Sequence, residues 1–262
     1  MYKRLLVIVC AVVISMLPIT SSFSAIDGLV GAWLFDDDSG NKVIDSSGRG
    51  HDGELVGNAK IDKNGKIGSA ISTDGTEAYI KIPDHEDFKF KGDFSIVCWF
   101  QNETLPAVNS GIVTKGYHKP SGGAGGDSKP WYLVYYITTG TVDFYLRDTK
   151  GANSHAIGKT AINDGKWRHV ACMKAGNKVK VYIDGKEDGI ADAVDDVYGN
   201  NDQPLVFMVH FDRWLKGMID EVAIFNRAIS DKEITQIMGG LKNTLAVAPK
   251  GKLAVTWGQL KL

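Results

Sequence analysis

Ten short runs rich in β-branched and aromatic residues, separated by turns carrying glycine, aspartate or asparagine, restrict this chain to an all-β fold. The runs are residues 29–35, 78–82, 93–101, 111–115, 131–137, 141–147, 168–174, 178–183, 205–209 and 217–225. Thr139-Gly140, Gly176-Asn177 and Asp184-Gly185 mark tight reversals between apolar runs, as hairpins require. Side chains alternate within the runs. Val142, Phe144 and Leu146 point one way, and Asp143, Tyr145 and Arg147 the other. Val179, Val181 and Ile183 likewise alternate with Lys180, Tyr182 and Asp184. One dry face and one wet face predict a two-sheet antiparallel β-sandwich of jelly-roll type.

A single helix is predicted near the C-terminus. Ser230 and Glu233 form a capping box, Ile234, Ile237 and Met238 follow at helical spacing, and Gly239-Gly240 ends the pattern. At the other end, Lys3 and Arg4 precede an apolar run at residues 5–17, then Pro18 and the small polar residues Thr20, Ser21 and Ser22. This is the layout of a secretory signal peptide, with the best cleavage point after Ser24. The run is too short for a membrane-crossing helix, which takes about 20 residues. Residues 1–24 are therefore read as a signal peptide, 25–240 as the sandwich, and 241–262 as a tail that docks or adds an edge strand. The mature chain is expected to carry no transmembrane anchor and to be secreted, periplasmic or at the cell surface.

The 30 basic and 31 acidic residues give no global charge for nucleic-acid binding. Cys98 and Cys172, the two cysteines left after processing, either pair or serve as small buried hydrophobes, and spacing does not decide between the two. Residues 118–129 form a glycine-rich loop between two strands.

Several motifs occur together and in order. They are Gly31-Ala32-Trp33-Leu34-Phe35-Asp36 with Asp45-Ser46-Ser47-Gly48-Arg49-Gly50-His51-Asp52-Gly53, Phe94-Ser95-Ile96 with Trp99, Trp167-Arg168-His169-Val170-Ala171, Val181-Tyr182-Ile183-Asp184-Gly185, and Gly217-Met218-Ile219-Asp220-Glu221-Val222 leading to Ser230. Together they resemble the laminin-G-like, concanavalin A-like lectin/glucanase jelly-roll family over about residues 27–239. The resemblance implies two curved antiparallel sheets in a family that is often secreted and binds sugars or proteins. It does not imply one activity, because the fold hosts lectins, adhesins and glycoside hydrolases alike.

Catalysis finds little support. Glu-x-Asp-x-x-Glu, which would aim paired carboxylates at one sugar, is absent, and the adjacent pairs Glu86-Asp87 and Glu187-Asp188 would point apart on a strand. His169 reads as a structural strand residue. The resemblance implies a structural calcium ion, with Asp45 and Asp220 at positions where the family is rich in acidic residues; alternatively Asp45 makes an Asx-turn and Asp220 binds loop amides. For a glycan, the expected face is Tyr145 and Arg147 with Tyr132 or Tyr136 on the neighbouring strand, joined by Trp131 and Trp214. The leading reading is a carbohydrate-binding, lectin-like module whose partner is a glycan or polysaccharide. A protein-interaction or adhesion module with a cell-surface protein partner is the alternative, and a hydrolase or lyase with dispersed carboxylates the third reading.

Overall fold

The computed structural model describes residues 26–37, 39–116, 130–194 and 196–246. The signal-peptide reading at 1–24, the glycine-rich loop at 118–129 and the tail beyond residue 246 lie outside the described residues.

Two eight-stranded antiparallel sheets face each other. The back sheet runs Lys186–Asp192, Lys178–Ile183, Arg168–Ala175, Phe94–Gln101, Lys216–Phe225, Ala70–Asp74 and Lys60–Asp62, with Leu29–Trp33 also paired to Lys216–Phe225. The front sheet runs Asn153–Ile157, Val142–Arg147, Trp131–Tyr136, Ser110–Lys115, Leu205–Phe207, Tyr79–Ile82, Gly53–Val56 and Lys42–Val43. All ten expected runs are strands. The run at 205–209 is split, because Met208 turns the chain at φ 67° and sends Val209–His210 into a separate hairpin with Arg213–Trp214. Lys42–Val43, Gly53–Val56, Lys60–Asp62, Ala70–Asp74, Asn153–Ile157 and Lys186–Asp192 are additional strands that the pattern of apolar runs did not announce. All six lie at or next to a sheet edge, where half the surface meets water and little apolar patterning is needed.

The hairpin turns behave as their residues suggest. Asp184 and Gly185 both have positive φ, 50° and 78°, as a type I′ turn between Ile183 and Lys186 requires. The core fills the space between the sheets. Trp33 meets Phe207 edge-on at 5.2 Å, and Phe94 stacks on Phe90 at 4.6 Å. Each such ring, taken wholly from water, contributes about 1.5–3 kcal/mol. Cys98 and Cys172 are free, buried thiols of this core on neighbouring strands. They sit out of register, Cys98 opposite Val170 and Cys172 opposite Ile96, and burial pushes the Cys98 thiol up to about 12.

The helix Asp231–Met238 begins at the expected capping box, with Ser230 and Glu233 bonded reciprocally. Arg227 reinforces it at 2.5 Å from Glu233 and holds that carboxyl down at about 2. Ile234 and Ile237 pack on the outer face of the back sheet against Leu29, Val97, Ala171 and Met173. Tyr182, expected on a wet face, is buried under this helix. A second helix, Leu241–Ala246, follows where the sequence left a docked segment or an edge strand open, and Leu241 packs into the same cluster. Among the described residues no helix is long and apolar enough to cross a membrane. The first helix and Leu241 cover the part of the back sheet's outer face that carries Leu29, Val97, Ala171 and Met173.

Candidate functional site

Register decides which aromatic side chains reach the outer face of the front sheet. The turn at Thr138–Gly140 pairs Tyr136 with Val142, Tyr135 with Asp143, Leu133 with Tyr145, Tyr132 with Leu146 and Trp131 with Arg147. Directly paired residues share a face, and Val142, Phe144 and Leu146 are core residues. Tyr132 and Tyr136 therefore point inward. Both are fully buried in the main core, Tyr136 donating to the carbonyl of Thr104 at 3.1 Å. This pairing corrects their expected place on the outer face, where Tyr135 lies instead.

The outer cluster is thus Trp131, Leu133 and Tyr135 from one strand, Asp143, Tyr145 and Arg147 from the next, and His155 from the edge strand. Tyr145 is its centre. Its ring stacks on His155 with centroids 3.6 Å apart and planes at 19°, and Trp131 meets it edge-on at 4.5 Å. Tyr135 lies 6.2 Å from Tyr145 and 4.9 Å from His210, with its hydroxyl 2.9 Å from His210 Nδ1. His210 arrives on the hairpin Val209–His210/Arg213–Trp214, where Trp214 pairs with Val209 and is half-buried. Trp131 and Tyr135 are largely buried, Tyr145 and Arg147 half-buried, and His155 is the exposed end of the row.

Polar groups border the rings. Asp143 Oδ2 is 3.1 Å from His155 Nδ1; burial pushes the Asp143 carboxyl up, and the imidazole opposes that. Arg147 Nη1 donates to Asn153 Oδ1 at 3.4 Å. Asp143 Oδ1 and Arg147 Nε are buried and without a hydrogen-bond partner among the described residues. A flat ring stack bordered by a carboxylate, a guanidinium and an amide suits a ligand that offers both an apolar face and hydroxyl groups. The turn that seats the edge strand is built by Asp148, whose Oδ1 accepts from Lys150 and Ala152 amides at 2.9 and 2.7 Å. Sequence reading missed Tyr135, Asp143, His155 and His210 as site residues. Counting pairs outward from a two-residue Thr139-Gly140 turn would have set Tyr136 opposite Asp143, one residue out of step; the loop is the three residues 138–140, which brings Tyr135 there instead, and the edge strand with His155, and His210, offered no comparable signal.

Asp45 and Asp220 are each held by their own set of hydrogen bonds. Asp45 Oδ1 accepts from the Ala32 and Ser47 amides at 3.0 and 2.9 Å, and Oδ2 from Ser47 Oγ and the His51 amide at 2.8 and 2.9 Å. With two hydrogen bonds on each oxygen, Asp45 organises its loop. Asp220 accepts from the Ile67 and Glu221 amides at 2.9 and 2.7 Å. Burial pushes both Asp220 and Glu221 up to about 7, and the nearby Asp36 adds to it. His169 is buried edge-on against Trp99, and desolvation pulls it down to about 4; this is a structural imidazole.

The family described as the concanavalin A-like lectin/glucanases superfamily matches residues 74–235. The chain belongs to that superfamily. Among solved structures, the chain is similar to the binding domain of a Paraclostridial mosquitocidal protein, with TM-score 0.65 and 17% identity over 82% of this chain and 53% of that one. Domain 4 of AbnA, a GH43 extracellular arabinanase from Geobacillus stearothermophilus in complex with arabinotriose, gives TM-score 0.63 and 23% identity over 80% of this chain and 98% of that domain. The receptor binding domain of botulinum neurotoxin type G gives TM-score 0.62 and 15% identity over 81% and 51%. At these identities the likeness shows the jelly-roll fold. The chain spans about half the length of the two toxin domains. No curated protein sequence matches it.

Proposed function

We propose that this protein is a non-catalytic binding module that takes a carbohydrate on the outer face of its front sheet. The observation that carries the reading is the Tyr145–His155 stack, backed by Trp131 and bordered by Arg147 and Asp143. A sugar ring set against the exposed His155 end of this stack buries its C–H face while its hydroxyls meet planar charged groups. Arabinotriose bound to domain 4 of the arabinanase supports this reading through a shared fold and length. Glycan-array and polysaccharide pull-down assays test it. Tyr145→Ala should weaken capture at least about fivefold, since one aromatic stack contributes on the order of 1 kcal/mol beyond its area, and Arg147→Ala at least about tenfold, since a hydrogen bond to a charged group contributes about 1.5–3 kcal/mol. Full retention in both variants removes this face.

The toxin neighbours, named as binding or receptor-binding domains, support a second reading, a protein partner at a cell surface. Capture of a cell-surface protein with an empty glycan array, lost on deleting residues 118–129 or 247–262, favours it. We also propose export through the N-terminal segment, which N-terminal sequencing of the mature protein checks: the first residue should be Ala25.

A further inference from the structure

Among the described residues, imidazole and carboxylate ligands converge once outside the aromatic face. His51, His85 and Asp87 place one ligand atom each within 4.8 Å of one another. We propose that these three side chains bind a late transition-metal dication, with zinc the best match.

The separations fit. His51 Nε2 lies 3.1 Å and His85 Nδ1 3.7 Å from the same oxygen, Asp87 Oδ2, and the two imidazole centroids are 4.5 Å apart. Two ligands about 2.0–2.1 Å from one tetrahedral zinc ion stand about 3.4 Å from each other, between the two observed values. Two imidazoles with one carboxylate select zinc, copper or nickel over calcium, which takes oxygens.

The fold presets two of the three ligands. The His51 ring is buried, with its amide donating to Asp45 Oδ2 at 2.9 Å and its carbonyl accepting from Trp33 Nε1 at 3.0 Å. His85 caps the 3-10 turn Glu86–Phe88 that carries Asp87, so the two residues arrive together. Three existing contacts yield to the ion, the first being the hydrogen bond from His51 Nε2 to Asp87 Oδ2 at 3.1 Å, whose proton leaves Nε2 as the metal binds. The Asp87 amide donates to His85 Nδ1 at 3.2 Å, and Arg49 Nη1 is 3.4 Å from Asp87 Oδ2. Both are long. The exposed His85 ring can turn a nitrogen inward, and the exposed Arg49 can swing to solvent. A cavity of about 300 Å³ lined by Arg49, Glu86, Asp87, Lys89 and Lys91 adjoins the cluster. It leaves the fourth position of the ion to water or an anion, as in three-ligand zinc sites.

The test uses the full mature chain, stripped with chelator, titrated with zinc by calorimetry and with cobalt(II) by visible absorption. One ion per chain and a tetrahedral cobalt band are expected. His85→Ala and Asp87→Asn should each weaken zinc at least about tenfold, since even residues behind the ligands cost that much, and abolish the band. Both side chains lie at the surface, and Asp87→Asn preserves shape should His85→Ala unfold, which circular dichroism reports. His155→Ala, in the aromatic face, should leave zinc uptake unchanged while weakening glycan capture. Absence of saturable zinc uptake overturns the proposal, as does uptake that survives both variants or disappears with His155→Ala.

Discussion

Lys115 closes the strand Ser110–Lys115 with a fully buried ammonium, and replacing it with methionine isolates what that charge does. Nζ is 2.8 Å from Asp84 Oδ1 and donates to Asn201 O at 3.1 Å, Asn201 Oδ1 at 3.0 Å and Gln203 O at 2.5 Å. Asn201 in turn donates to the carbonyl of Pro130 at 2.8 Å, so one loop ties the ammonium to the entry of the strand Trp131–Tyr136. Burial pulls the lysine pKa down and Asp84 resists that, as expected of a charge held by its oxygen cage. Methionine keeps the apolar stem and deletes only charge and donors. Breaking a buried ion pair from one side costs about 3–5 kcal/mol. Asp84 is 27% exposed and recovers part of its hydration, which places the loss near the lower bound. We expect Lys115→Met to cost about 3 kcal/mol in urea denaturation and to lower Tm by about 6–12 °C for a domain of this size. Asp84→Asn should cost less than half as much, since water can reach that carboxylate. A Lys115→Met variant within about 1 kcal/mol of the parent, or an Asp84→Asn loss equal to it, refutes the caged-ammonium account.

Three further outcomes follow from particular groups. Asp220 and Glu221, raised to about 7 in the fold against about 4 unfolded, contribute stability that is complete below about pH 4 and lost as pH rises through about 7. Parent protein in chelator should therefore lose stability relative to Glu221→Gln across that window, and a relative gain contradicts the assignment. The Tyr132 hydroxyl is buried with no hydrogen-bond partner among the described residues, so Tyr132→Phe should be neutral or stabilising by up to about 1 kcal/mol while leaving ligand capture intact; a loss above that value by calorimetry shows that the hydroxyl is bonded. Ser230→Ala, which removes one side of the capping box, should cost about 1 kcal/mol in denaturation midpoint analysis, and an unchanged midpoint shows that Arg227 alone holds Glu233.

The elements whose causes are local were readable along the chain. Period-two alternation marked the central strands, Asp184-Gly185 marked its turn, and Ser230 with Glu233 marked the helix start. The polar edge strand with His155 escaped notice because an edge residue answers to water on one side and leaves no apolar pattern. Alternation also says that Trp131 and Tyr132 face opposite ways without saying which way is in. Pairing with the strand Val142–Arg147 settled that, turning Tyr132 and Tyr136 to the core and Tyr135 outward. Likewise Cys98 and Cys172 were left between bridge and hydrophobe until register set them out of line.

What the sequence determined by itself was the repertoire: short alternating strands, tight turns and one capped helix, hence a β-sandwich, because period-two patterning and turn chemistry depend on near neighbours in the chain. The tertiary structure alone decided which aromatic side chains reach the front sheet's outer face and brought the imidazole–carboxylate cluster together. Pairing of residues 131–136 with 142–147 turns Tyr135 and Tyr145 outward, and residues 51, 85 and 87 meet only after two loops fold together. Both depend on which distant segments share a layer and in which register, and no local spacing carries that information.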